Sequence, residues 1–501
     1  MSKRRSQFSI LSCLLMMTCA LWIAWADEGS PTNTIVVTPK PALAGLLRNP
    51  AMGWVLYSET LGSDLFRNAD DYWKQADPSV PSASIFYIRC TWAQMEPEEG
   101  HYAWKEDANF QELIDGAFQR HLKLAFRVVT NSKDCRQQAT PDWVHAAGAD
   151  GYTEKGTGGR DLWTPSVKDP VFREKLEKFV QAFAKEFDDP SRVDFIDGCG
   201  LGWWGEMHHL NIDSTDNWEV YEWICHTYGA AFHRVLLGTQ VFSPLSNFGK
   251  YDDMAFYKYG YVARRDSLGS SWMPAINRFQ ELYPKIPFFG ESCYFALDTM
   301  GDWKKDHKNF QTVRDVLQAA YNDAIACHAN TLDLREPRDA AVAMREASDL
   351  VASFIAKGGY RLYPVSVEFP PTFTANQPVI INHTWKNLGV GIMANDNPRW
   401  NRKYHVAFAL LDPVTEKVVA TAVDPDADPG TWVTDQEESN VYHAQFLPPP
   451  APNHYLLATA IVNTLNGNQP EIQLATTDLQ QSDGWSILGD INVGTAKGTG
   501  P

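Results

Sequence analysis

Between residues 50 and 360, short apolar runs alternate with longer helical patterns, and no other feature of this 501-residue chain constrains its fold as strongly. The runs fall at 53–57, 84–89, 122–129, 195–201, 235–240, 259–264, 286–289 and 330–334. Helical patterns separate them, among them 109–120 and 171–187, the second opened by Asp169 and Pro170, a helix-start signal. Eight repeats of strand and helix predict parallel strands joined by crossover helices and closed into a (β/α)8 TIM barrel. After Gly358 and Gly359 the texture changes. Short strands at 361–369, 378–385, 405–411, 417–423, 440–447, 455–462 and 471–474, broken by Pro, Asp and Asn turns, predict an immunoglobulin-like antiparallel β-sandwich.

The start of the chain reads as an export signal. Lys3, Arg4 and Arg5 precede an apolar run over 8–25, and Ala24 and Ala26 flank Trp25 in a small-x-small cleavage pattern. Cleavage after Ala26 gives a secreted or periplasmic protein with no membrane association once the signal is gone. The expected organisation is a signal over 1–26, a barrel over 27–360, a sandwich over 361–493 and a fraying tail over 494–501. The formal charge is −17, and losing the three basic residues of the signal takes it to −20. That balance argues against nucleic acid and anionic membrane surfaces as partners. Six cysteines lie beyond the signal. Cys90 and Cys135 follow successive expected strands and form the first candidate disulfide of an exported chain. No Cys or His spacing predicts a zinc site, and no cofactor is expected. Asp424, Asp426 and Asp428 alternate as in a calcium loop, but Gly430 comes one place late and no helix flanks them, so a polar inter-strand turn is the better reading.

Two glutamates carry the chemistry. Glu206 closes the run 193–206 and Glu291 closes 285–291, each after an expected strand. Carboxylates at the C-terminal ends of two barrel strands are what glycoside hydrolysis requires: one protonates the leaving oxygen, the other attacks the sugar or activates water. Arg89, at the end of the second strand, would aim a fixed cation at a carboxylate. Trp92 follows it, and Trp203 and Trp204 flank Glu206, offering flat faces for sugar rings. His208 lies close behind Glu206, Asp266 follows the sixth strand, and Tyr294 follows Glu291; with Arg89 and the tryptophans they complete the candidate substrate contacts. The adjacent His208 and His209 do not share a face, which argues against a metal pair.

The stretch with Trp92, Glu96, Pro97, Gly100, Tyr102 and Trp104 resembles the loop after strand two in clan A retaining glycoside hydrolases, notably the beta-galactosidase-like members. Asn49, Pro50, Gly53 and Trp54, with the run 202–206, resemble a bacterial family of predicted glycosidases of unknown function that carries a C-terminal β-sandwich. The resemblance implies a secreted retaining enzyme acting on oligo- or polysaccharides, with Glu206 as acid/base after strand four and Glu291 as nucleophile after strand seven. Clan A has Asn immediately before the acid/base, whereas Gly205 stands there in this chain. Two other classes stay open on the sequence: a non-catalytic carbohydrate-binding protein on a degenerate barrel, supported by Gly205, and an envelope assembly protein. The sequence is silent on oligomeric state and on the identity of the sugar.

Overall fold

The computed structural model describes residues 34–58, 66–242, 248–249, 251–273, 276–295, 297, 302–434 and 439–495. The expected signal and most of the expected tail lie outside these residues. Eight strands form the barrel: β1 Gly53–Tyr57, β2 Ala83–Thr91, β3 Lys123–Val129, β4 Val193–Asp197, β5 Leu236–Gln240, β6 Val262–Leu268, β7 Phe288–Ser292 and β8 Ala329–Arg335. Each pairs in parallel with its chain neighbours, and β8 closes on β1 through Leu332 and Trp54. All eight expected strands are present, within a few residues of their expected bounds. Their residues are buried almost throughout, as parallel strands covered on both faces must be.

The helices cover the barrel for the reasons their sequences give. Helix Pro170–Phe187 starts where the Asp169 side chain accepts from the Phe172 amide at 2.8 Å and Pro170 occupies the first turn. Its buried stripe of Phe172, Leu176, Phe179, Val180, Phe183 and Phe187 faces the sheet, and Phe183 meets Phe126 of β3 edge-on at 5.3 Å. Burying each such phenyl is worth about 1.5–3 kcal/mol.

Inside the barrel, side chains stack in layers along the period of two. Tyr57, Tyr87, Phe195 and Phe289 form an aromatic layer, with centroids 4.7, 5.9 and 4.6 Å apart in that order. Two residues further along their strands stand Arg89, Asp197 and Glu291. Arg127 and Arg264 follow Ala125 and Val262 at the same interval. A charged layer therefore rests on an apolar floor, at the C-terminal ends of the strands.

Two sheets make the sandwich. One contains strands Leu362–Phe369, Val379–Asn387 and Asn440–Phe446; the other contains Thr372–Thr374, Tyr404–Leu411, Val418–Asp424, Asn453–Asn463 and Trp485–Gly494. Strand Ile35–Val37 adds to the first sheet by antiparallel pairing with Leu362–Phe369, so the chain enters through the sandwich before it enters the barrel. The expected tail begins on a strand, since Trp485–Gly494 runs to Gly494. The Asp424–Asp428 stretch is a turn. Asp424 takes the His383 Nε2 at 2.8 Å, and Asp428 accepts from Asn395 at 2.6 Å and from the Gly430 amide at 2.8 Å. One apolar core runs from the barrel interior into the sandwich and joins Tyr57, Phe195 and Phe289 to Leu362, Trp385 and Trp400.

The expected disulfide is not formed. Cys90 and Cys135 are both buried thiols. The Cys90 Sγ lies 3.9 Å from the Arg127 carbonyl oxygen, and the Cys135 Sγ lies 3.8 Å from that of Asn131.

Candidate active site

The charged layer opens into a cavity of about 510 Å³ at the C-terminal face, lined by Arg89, Trp204, Glu206, Asp266, Glu291 and Arg335 among others. Glu291 sits in β7, inward like Phe289. Glu206 does not end a strand: β4 stops at Asp197, and a loop of nine further residues brings Glu206 back over the barrel mouth. Seven residues of that loop between 200 and 211 have positive φ, among them Trp204, Met207 and His209. Such backbone persists only where the surroundings fix it, and it concentrates at functional sites. Here both indoles fix it. Trp203 donates to Glu154 at 2.9 Å and Trp204 to Asp134 at 3.0 Å. Glu154 belongs to a hairpin, Gly151–Lys155 with Asp161–Pro165, that strand-and-helix cadence did not predict.

Gly205 has a structural cause. Its φ is +76°, and a Cβ there would come within 2.7 Å of Val129 and 3.1 Å of the Arg127 side chain. An asparagine would strain the backbone and displace the guanidinium that holds Glu206.

Arginines organise both carboxylates. Arg127 donates to Glu206 Oε1 at 2.6 Å and reaches Glu291 Oε2 at 3.5 Å, so one guanidinium spans the pair. Arg335 meets Glu291 Oε1 at 2.5 Å, Arg89 meets the same oxygen at 3.4 Å, and Arg264 binds Oε2. Asp197 anchors this set. Its Oδ2 takes the Nε of Arg127 at 2.7 Å and of Arg264 at 2.6 Å, and the Tyr87 hydroxyl at 3.0 Å. Asp333 does the same for Arg335 at 2.7 Å and accepts from the Ser292 amide beside Glu291. Arg89 thus meets the expectation of a cation aimed at a carboxylate, and its target is Glu291.

Glu206 and Glu291 have unlike surroundings. Burial pushes the Glu206 carboxyl above the usual range, and the like charge of Asp266 adds to that shift against the pull of Arg127, Arg89 and Arg264. Oε1 is taken by Arg127, and Oε2 faces His208 Nε2 at 3.8 Å. Burial lowers the His208 pKa, leaving its ring neutral at pH 7. Asp266 is held below its usual range: burial opposes this, but Arg265, His208 and Arg264 outweigh it. Glu206, His208 and Asp266 place one ligand atom each within 4.8 Å of one another, close enough to hold a cation. Arg127 and Arg265, the latter 3.4 Å from Asp266, already balance both carboxylates.

Two expected substrate contacts are corrected. Trp92 is fully buried and does not line the cavity; its indole donates to Glu96 at 2.8 Å and packs on Trp143 and Phe179. Helix Trp92–Met95 turns the ring back against helix Pro170–Phe187, so it serves the core. The Tyr294 hydroxyl donates to Asp306, and its ring packs with Leu297, Trp303 and Val316 beside the barrel. Of the remaining candidates, Trp203, Trp204, His208 and Asp266 all line the cavity. Trp203 has one face covered by His209 at 3.7 Å, and the exposed Trp272 stands at the mouth. Arg127, Asp197, Arg264, Arg265, Phe295 and Arg335 were missed. The available signal was an arginine inside an otherwise apolar strand, as in 122–129: a charge buried there needs a carboxylate opposite.

No family model matches the chain, and no curated protein does. Solved structures similar to it include the catalytic domain of a beta-amylase from Paenibacillus polymyxa, at 11% identity and TM-score 0.39 over 60% of this chain and 99% of that one. A GH30 endoxylanase from Clostridium papyrosolvens C71 is 12% identical, with TM-score 0.35, over 85% and 99%. Endo-glycoceramidase II from Rhodococcus sp., as a lactosyl-enzyme intermediate, is 12% identical, with TM-score 0.38, over 82% and 99%. The closed parallel barrel rests on the strand pairing of this chain itself.

Proposed function

We propose that this chain is a retaining glycoside hydrolase, exported by its N-terminal segment and acting on oligo- or polysaccharides. The observation that carries the reading is the convergence of Glu206 and Glu291 in one cavity under a shared Arg127. Glu291, among four guanidiniums, is the charged carboxylate and attacks the anomeric carbon. Glu206, whose protonated form burial favours, gives its proton to the leaving oxygen and then takes one from water. Trp204 and Trp272 offer ring faces to sugars, and Asp266 and His208 offer polar contacts. No step requires a cofactor.

The test is covalent capture. A panel of activated 2-deoxy-2-fluoro glycosides should label the mature protein, and peptide mass spectrometry should place the label on Glu291. One observation favours a second reading: with guanidiniums on both oxygens, Glu291 is a weaker base and a poorer nucleophile than a carboxylate with one cationic neighbour. A binding protein on a degenerate barrel would bind sugars on a glycan array and take no label from any member of the panel.

The pH profile gives a further check. Asp266→Asn takes away a like charge that raises the Glu206 pKa and should lower it. The basic limb of kcat/KM reports loss of the acid's proton and should move to lower pH in the variant. A limb that stays in place or moves up would separate Asp266 from Glu206.

A further inference from the structure

A second cavity, of about 570 Å³, lies where the N-terminal end of the barrel meets the sandwich, well away from Glu206 and Glu291 in the fold. Its charge is inverted relative to the chain. Arg48, Lys123, Arg234, Arg399 and Lys403 line it against Asp189 and Glu471, in a protein of formal charge −17.

Three of those cations have no carboxylate partner among the described residues. Arg48 donates only to the carbonyl oxygens of Ala83 at 3.2 Å and Val80 at 3.1 Å. Arg399 donates to those of Phe232, Tyr259 and Gly260 at 3.2, 2.9 and 2.7 Å. Lys403 is 5% exposed, and its ammonium lies 4.6 Å from the Trp400 ring and 4.9 Å from that of Tyr404, with no oxygen in hydrogen-bond reach among the described residues. The nearby acids are occupied. Glu471 accepts from Tyr404, Asn463 and Asn466 at 3.0, 2.9 and 2.9 Å, and Asp189 caps Ser191.

A buried charge is ordinarily paired or bound to a ligand, and an orphaned one needs a cause. We propose that this groove binds a small oxyanion-bearing ligand, a phosphate, sulfate or sugar acid, with Lys403 at its base and Arg48, Lys123 and Arg234 around it. Charge-assisted hydrogen bonds from ammonium and guanidinium groups are the chemistry that recognises such groups. The volume admits a monosaccharide acid as well as an inorganic ion. Burial also lowers the Lys403 pKa to about 8, which a bound anion would reverse. The charged groups facing that ammonium are Glu471, Lys123, Asp194 and Arg234.

Titration calorimetry on the mature protein at pH 7, at constant ionic strength with chloride as background, tests this with sulfate, inorganic phosphate and glucuronate. Sulfate should bind with a dissociation constant of about 1 mM or tighter. Equal binding of all three assigns a generic oxyanion site, whereas tighter glucuronate assigns a sugar acid. Sulfate does not titrate between pH 7 and 9, so its affinity should fall about tenfold over that interval as Lys403 loses its proton. Lys403→Met keeps the stem on Trp400 and Tyr404 and should weaken sulfate about tenfold or more. Arg234→Gln, at the exposed rim, should weaken it several-fold in a protein with unchanged melting temperature. No saturable heat with any of the three anions overturns the proposal, and so does a folded Lys403→Met that binds sulfate as tightly as the wild type.

Discussion

Glu291→Gln should abolish turnover on every glycoside the wild type cleaves, a loss on the order of 10⁵-fold in kcat. The amide has nearly the shape of the carboxylate but cannot form a glycosyl ester. It also removes the negative charge shared by Arg89, Arg127, Arg264 and Arg335. Taking one partner from a buried ion pair costs about 3–5 kcal/mol, so lost activity alone could mean a lost fold. The geometry softens that cost, because Asp197 still faces Arg127 and Arg264, and Asp333 still faces Arg335. Glu291→Asp separates the two effects. It keeps the charge among the guanidiniums, so the melting temperature should move less than in the Gln variant. It withdraws the attacking oxygen by about one methylene, and misplacement on that scale costs about 10²-fold or more. Near wild-type turnover in either folded variant would remove Glu291 from the role of nucleophile.

The barrel was legible because its signal is local. Each strand is a short apolar run, each helix carries its own caps and stripe, and the two alternate. The hairpin Gly151–Lys155 with Asp161–Pro165 was missed because its first strand alternates between exposed and half-buried and neither strand carries an apolar run. Strand Ile35–Val37 was missed because its partner, Leu362–Phe369, lies over 300 residues away and nothing near it in sequence announces the pairing.

The site was legible only in part, and the period of two explains where reading stopped. Glu291 and Arg89 sit on strands and project inward with Phe289 and Tyr87, so their positions follow from strand register alone. Arg127 and Arg264 obey the same rule, and Arg127 was overlooked because it lies inside an expected strand rather than at its end; Arg335 follows a register shift and has a positive φ, so strand period does not place it. Trp92 was misplaced because aromatic residues serve cores and sugar platforms equally well. Only the helix that begins at Trp92 decides the direction of its ring.

Glu206→Gln should split substrates by leaving group. Glycosides whose aglycone leaves poorly need a proton in the first step, and they should lose about 10²–10⁴-fold. Activated aryl glycosides leave as stable anions and should form the glycosyl enzyme at close to the wild-type rate. The second step should then limit, because the same residue serves as the base for water. Glycosyl enzyme should therefore accumulate on Glu291, visible as a burst of released phenol followed by slow turnover. Azide attacks without giving up a proton, so it should speed that slow phase and yield a glycosyl azide. The azide product should keep the anomeric configuration of the substrate, because attack on the Glu291 ester inverts a centre already inverted once. The wild type should lose activity as pH rises through the Glu206 pKa, and the variant should lack that limb, having no proton there to lose. Arg127 makes the result specific to Glu206, for the Gln side chain can still accept from its Nη1 and leave the shared guanidinium in place. If Glu206→Gln slowed good and poor leaving groups alike and azide left the slow phase unchanged, the proton would come from another group.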